Sequence, residues 1–161
     1  MSDKTLEYYN ANAEKFVEST LSVDFSQVQC EFLNLLMPES YILDFGCGSG
    51  RDMKYFLEHG YRVDVVDGSA KLCRIASEFT GIQVHQMLFQ GLQEKEMYDG
   101  IWACASVLHV PKIELANILQ KMCNAVKVGG IIYTSFKYGN FEGERSGRFF
   151  CDFTEKVSAN L

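Results

Sequence analysis

Residues 41–52 read Tyr41-Ile42-Leu43-Asp44-Phe45-Gly46-Cys47-Gly48-Ser49-Gly50-Arg51-Asp52, a short apolar run that breaks into three glycines at alternate positions. The run predicts a strand, and the glycines predict a tight loop whose backbone can approach a ligand closely. Residues 51–59 then read as a helix whose first amides face that ligand.

Outward from this stretch the pattern repeats. Downstream, strands are predicted at 61–66, 82–87, 101–105 and 131–136, separated by helices over 69–79 and 115–126, with one short helical turn inside 88–97. Ser69 is placed to cap the second of the core helices. Upstream, the spacing of Tyr8, Tyr9, Ala13, Phe16 and Val17 predicts one amphipathic helix over 5–20, and a second helix is predicted from Ser26 until Pro38 ends it. Short strands joined by helical crossovers pair in parallel. The fold class is therefore α/β, a Rossmann-like doubly wound sheet of five parallel strands with helices on both faces. One domain is expected over 1–161: a helical cap at 1–38, a core at 39–136, and a segment at 137–161 rich in Gly, charge and Phe to which no element is assigned.

Composition narrows the partners. The formal net charge is −6, and the fifteen Lys and Arg are scattered, so neither a phosphate backbone nor an anionic membrane is an expected partner. No apolar run approaches the roughly 20 residues that span a bilayer, and no signal-like segment opens the chain, which predicts a cytoplasmic protein. Six cysteines at irregular intervals read as free thiols, with no metal-finger spacing, so no metal site is expected.

In such sheets the ligand lies beyond the carboxyl ends of the strands, where strand order reverses. Asp67 ends the second strand, twenty-one residues after Gly46, where a carboxylate can accept from both hydroxyls of a ribose. An adenosine-containing ligand is implied. For a nicotinamide dinucleotide the third glycine comes one position early and Arg51 stands where Gly or Ala is wanted. Asp44, near the end of an apolar strand, would oppose a pyrophosphate. It is either an acceptor for loop amides or the partner of a cationic amino-acid head.

These residues resemble a known family. Residues 42–50 are similar to the first motif of class I S-adenosylmethionine-dependent methyltransferases, and Asp67 to their ribose-binding acid. Val126-Lys127-Val128-Gly129-Gly130 resembles their Leu-Lys-Pro-Gly-Gly turn, and Tyr98–Trp102 with Leu108–Pro111 resembles their fourth-strand region. The likeness is nearest to small bacterial methyltransferases of the tellurite-resistance-like group. It implies methyl transfer from S-adenosylmethionine to a small-molecule acceptor, leaving S-adenosylhomocysteine.

It also implies roles. Asp44, Gly46, Cys47 and Gly48 would line the methionine part, and Asp67 the ribose, with Gly68 and Ser69 beside it. Leu88 and Phe89 would clamp the adenine, Leu88 standing where the family commonly has an acid. Ala105 and Ser106 would lie near the transferred methyl. Tyr8 and Tyr9 are either core residues or a lid, Tyr9 being the one assigned to the cofactor. His109 is the candidate general base, against a reading as a cap or a packing residue. Orientation alone can supply roughly 7 to 11 kcal/mol, so methyl transfer does not require a base. Lys137, Tyr138, Arg145, Arg148, Phe149 and Phe150 are candidates for the acceptor pocket, with Arg148 suited to an anion or else a solvated loop residue.

Family domains continue past the fifth strand with a helix and two more strands. Here Phe153-Thr154-Glu155-Lys156 reads as the start of that helix, and no strands follow. The expectation is a fifth strand with an open edge that a homo-oligomer would cover. The alternative to an enzyme is a catalytically incomplete module that keeps the S-adenosylmethionine or nucleoside pocket.

Overall fold

The computed structural model describes residues 3–154. Five strands form one sheet: β1 (Tyr41–Phe45), β2 (Arg62–Asp67), β3 (His85–Gln86), β4 (Tyr98–Ala103) and β5 (Val126–Thr134). Their order is β3-β2-β1-β4-β5, and every pairing is parallel. Order reverses between β1 and β4, which opens a crevice at their carboxyl ends.

The alternation along β1 assigns its two faces. Leu43 and Phe45 pack with Ile101, Ala103, Leu115, Ile118 and Met122, and so meet helix α6 (Lys112–Ala125). Ile42 points the other way, packing with Trp102, Phe32 and Phe56 of helices α3 (Ser26–Leu33) and α4 (Arg51–Glu58). Helix α5 (Ala70–Thr80) adds Cys73 and Ala76 beside Val65 and Met53. By the same period of two, Asp44 shares its face with Ile42 and lies under α4. No helix among the described residues is long and apolar enough to cross a membrane.

Several boundaries differ from the sequence expectation. The helix over 5–20 is two, α1 (Asp3–Ala11) and α2 (Ala13–Leu21), broken at Asn12 (φ −116°, ψ 20°). The Asn12 amide donates to the Tyr8 carbonyl at 2.9 Å, the local competition that makes Asn a poor helix interior. The third strand shrinks to two residues because the Val84 N–H is taken by the Ser77 hydroxyl at 2.9 Å instead of by β2. Helix α6 starts three residues early, at Lys112, since Ile113 is 91% exposed and its apolarity carries no pattern. Residues 127–130, expected as a turn before the last strand, are an irregularity within β5: Tyr98 pairs with Val126 and Gly100 with Ile131.

The larger difference lies after β5. Residues 137–154 build an antiparallel hairpin, β6 (Glu142–Arg145) and β7 (Arg148–Cys151), turned at Ser146-Gly147 with both φ positive. Phe153 bridges to Tyr138 and packs on Phe136 at 4.8 Å, so it does not begin a helix. The rest of that expected helix, from residue 155, lies outside the described residues. Among the described residues β5 pairs only with β4.

Candidate functional site

The crevice holds a cavity of about 250 Å³, walled by the glycine loop, the ends of β2 and β4, the first two helices and the hairpin. Two glycines let the loop close on its neighbours. At Gly46 (φ +94°) a Cβ would stand 2.5 Å from the Ser106 Cβ, and at Gly48 (φ +56°) 2.9 Å from the Phe16 ring. The Ser106 hydroxyl donates to the Phe45 carbonyl at 2.6 Å, which ties the ends of β1 and β4 across the switch point. Ala105, at φ +48°, bends the chain out of β4 and faces the cavity.

Two buried carboxylates flank the loop. Asp67 accepts the Gly48 N–H on one oxygen (2.9 Å) and the Ser69 N–H on the other (2.8 Å), which leaves acceptor capacity on both. Burial pushes its carboxyl up, and the N–H groups of Ser69, Gly48 and Gly68 pull it back. Asp44 has one oxygen, Oδ2, buried without a hydrogen-bond partner. Burial first, then the charges of Asp52 and Asp67, raise its carboxyl well above the usual range. Among the described residues neither is in an ion pair. Such carboxylates favour a cation or a set of hydroxyl donors.

Asp52 completes the floor. It takes the Gln29 amide (2.6 Å), the Trp102 indole N–H (2.9 Å) and the Arg51 guanidinium (2.7 Å). The sequence signal for it, an acid one residue inside the helix after the glycines, was indistinguishable from helix-dipole chemistry.

Of the predicted cofactor residues, Tyr9, Gly46, Cys47, Gly48, Asp67, Gly68, Phe89, Ala105 and Ser106 lie on the cavity wall. Asp44 stands behind the loop. Ser69 is also withdrawn, its hydroxyl donating to the Asn10 side chain (2.7 Å) and accepting from the Leu72 N–H (3.2 Å) as the cap of α5. Leu88 is off the wall and 42% exposed, because the short helical turn Phe89–Gly91 directs Phe89 inward against Phe45 instead. Phe16, Leu72, Cys104 and Leu108 also line the space. Side chains of this type carry no sequence signal that separates a cavity wall from the core. Burial pushes the Cys47 thiol well up and the Cys104 thiol to about 11, so neither supplies a thiolate.

On the far side stand His109, Lys137, Arg148 and Phe150. The Phe149 carbonyl, 2.6 Å from His109 Nδ1, can only accept, so that nitrogen carries the proton and Nε2 accepts from the Tyr9 hydroxyl at 2.8 Å. Arg148 Nη1 lies 3.4 Å from the same hydroxyl. Burial, with Arg148 and Lys137 adding to it, depresses His109 to about 4, and burial raises the Tyr9 phenol. At neutral pH the pair is a neutral imidazole bonded to a neutral phenol. Of the other acceptor-pocket candidates, Tyr138 is exposed, Phe149 lies off the wall, and Arg145 turns away to pair with Asp152 at 2.9 Å.

Residues 42–130, more than half of the chain, match the model of a methyltransferase domain. No curated protein matches the chain. Among solved structures, it is similar to the 1,6-didemethyltoxoflavin-N1-methyltransferase of Burkholderia thailandensis (TM-score 0.77, 20% identity), covering 98% of this chain and 73% of that one. TehB from Haemophilus influenzae gives 0.74 at 18% identity, over 92% and 54%. A putative Zn-dependent alcohol dehydrogenase from Rhodobacter sphaeroides gives 0.73 at 17%, over 88% and 59%. This chain thus spans little more than half the length of the last two. At these identities the likeness is one of fold, and the fold alone does not separate the two chemistries.

Proposed function

The chain belongs to the methyltransferase-domain family, and from that premise we propose that it transfers a methyl group from S-adenosylmethionine to a small-molecule acceptor in the cytoplasm. The observation that carries the reading is the pair of buried carboxylates, Asp44 and Asp67, flanking the glycine loop with no ion-pair partner among the described residues. They fit this cofactor. Asp67 would accept the ribose hydroxyls, Asp44 the methionine ammonium, and Phe89 and Leu72 give the adenine an apolar bed. Loop amides and the start of α4 would take the cofactor carboxylate.

When bound, S-adenosylmethionine supplies a methyl group already activated by the sulfonium, so the chain's task is alignment. Gly46 and Ser106 fix the distance between the β1 and β4 ends. Phe16 and Tyr9, brought over the loop by the first two helices, exclude water from it. His109 orients Tyr9 through its bound Nε2, and as the structure stands that lone pair is not free to take an acceptor's proton. A second copy covering the open edge of β5 is part of the same proposal.

The test is calorimetric titration with S-adenosylhomocysteine, followed by transfer of labelled methyl across acids, amines, thiols and phenols. Tight binding with turnover of one class supports the enzyme. Binding with no turnover in any class selects the cofactor-binding module, and no binding refutes the cofactor.

A further inference from the structure

The cavity is charged in two halves. Asp67 lines it on the β1–β2 side, with Asp44 buried behind the glycine loop, while Lys137 follows β5 and Arg148 opens β7 on the other. Arg51 and Arg145 are each paired to a carboxylate, Asp52 and Asp152. Among the described residues Lys137 and Arg148 are paired to none. Rings hold them instead. The Arg148 guanidinium lies 4.6 Å from the Tyr8 ring centre and 5.1 Å from that of Phe150, and the Lys137 ammonium 4.9 Å from the same Phe150 ring.

This arrangement leaves the Arg148 guanidinium without a charge partner among the described residues. Arg148 Nε is buried with no acceptor, and an unmet buried donor of a charged group is expensive. Stacking on aromatic rings fixes the planar guanidinium fork in one orientation, ready for a bidentate partner. In a chain of net charge −6, counter-ions for two cations are abundant, yet these two are kept apart from them. Their field reaches the β4 end of the cavity, since both act on His109.

Resting on the methyltransferase reading, we infer that the methyl acceptor is a small organic oxyanion, a carboxylate or phosphonate, held by Arg148 and Lys137, with Phe150 and Tyr9 flanking its apolar part. In the transfer, the bond from the acceptor atom to the methyl carbon forms as the carbon–sulfur bond breaks. The electron pair stays on sulfur, and the sulfonium becomes a neutral thioether. An oxyanion oxygen that attacks has no proton to lose, which suits a site whose one histidine already has both nitrogens engaged.

Benzoate, phenylphosphonate and benzylamine, titrated into the full chain with and without saturating S-adenosylhomocysteine, test the inference. At least one anion is expected to bind ten or more times tighter than benzylamine, and the tighter of the two anions identifies the acid class. Arg148→Gln and Lys137→Gln should each weaken that anion at least tenfold while leaving the S-adenosylhomocysteine Kd within threefold. Equal binding of benzylamine, or no binding of either anion at millimolar concentration, overturns the inference. So does a tenfold loss of S-adenosylhomocysteine in both variants, which would give the cations to the cofactor's own carboxylate. Failure of the unaltered chain to bind S-adenosylhomocysteine refutes the methyltransferase reading instead, and the cofactor-free titrations still judge the anion site.

Discussion

Asp67→Asn should separate binding from stability. In the folded chain the carboxylate meets two backbone N–H groups, one on each oxygen, and the remaining lone pairs face the cavity. An asparagine keeps one acceptor oxygen and presents an NH₂ to the other partner. For the ligand, one charge-assisted hydrogen bond of about 1.5–3 kcal/mol is lost and the second falls by about 1 kcal/mol. The S-adenosylhomocysteine Kd should therefore rise by roughly 70-fold to 1,000-fold. For the apo fold the terms oppose each other. Losing an acceptor for one amide costs about 1–3 kcal/mol, but burial raises this carboxyl, so its ionised form is held at a cost that the substitution removes. Because the folded value lies above the unfolded one, the native state binds the proton more tightly. The group's contribution is full below the unfolded pKa and is lost as pH rises through the folded one. The variant should accordingly compare best with the parent at neutral pH and worst near pH 4. Calorimetric titration and thermal melts over that range read both effects. An unchanged Kd would refute the ribose assignment, and a collapse of the fold at pH 7 would make Asp67 a structural residue.

Other outcomes follow from the same geometry. S-adenosylmethionine binding should tighten as pH rises, because burial raises the Asp44 carboxyl and a cation beside it favours its ionised form; Asp44→Asn should flatten that dependence in isothermal titrations at several pH values. Gly46→Ala places a Cβ 2.5 Å from that of Ser106 at φ +94°, so a loss of about 2–4 kcal/mol is expected in urea unfolding. His109 has a folded pKa of about 4, below its unfolded value, so its contribution is full above pH 6.5 and is lost as pH falls to 4. The stability gap between the parent and His109→Gln should narrow by about 3 kcal/mol across that window in paired denaturation curves. If a second copy covers β5, Val128→Lys on its open edge should shift the light-scattering mass from dimer to monomer.

The core was legible because its signals are local. Strand alternation, three glycines and an acid at a fixed remove need no tertiary context, and they located β1, β2, β4 and the loop between β1 and α4. What escaped depends on partners far along the chain. Nothing in Val84 announces that Ser77 will take its N–H, and nothing in Phe16 announces that Gly48 will face its ring. The hairpin was the costliest omission. Glycine and charge interrupt β6 and β7 where alternation is sought, and only the fold shows Cys151 and Phe149 packing with the core of β1 and β4 while Phe150 meets His109.

The hairpin also joins the two ends of the site. The Phe149 N–H donates to the Thr5 hydroxyl at 2.9 Å, the Phe149 carbonyl holds His109, and His109 holds Tyr9. One residue of the hairpin thus fixes both α1 and the 107–109 turn beyond β4, while its neighbours Arg148 and Phe150 face the cavity. Helix α1 supplies Tyr9 above the loop and, through Asn10, the partner of the cap residue Ser69 next to Asp67. The acidic half and the cationic half are therefore linked through α1 as well as by the Ser106–Phe45 tie between β4 and β1. An oxyanion that draws on Arg148 acts on the same element that covers the cofactor's place, so acceptor and cofactor should bind with positive coupling. Equal benzoate affinity with and without S-adenosylhomocysteine would show that α1 transmits nothing between the two halves, even if each half binds its own ligand.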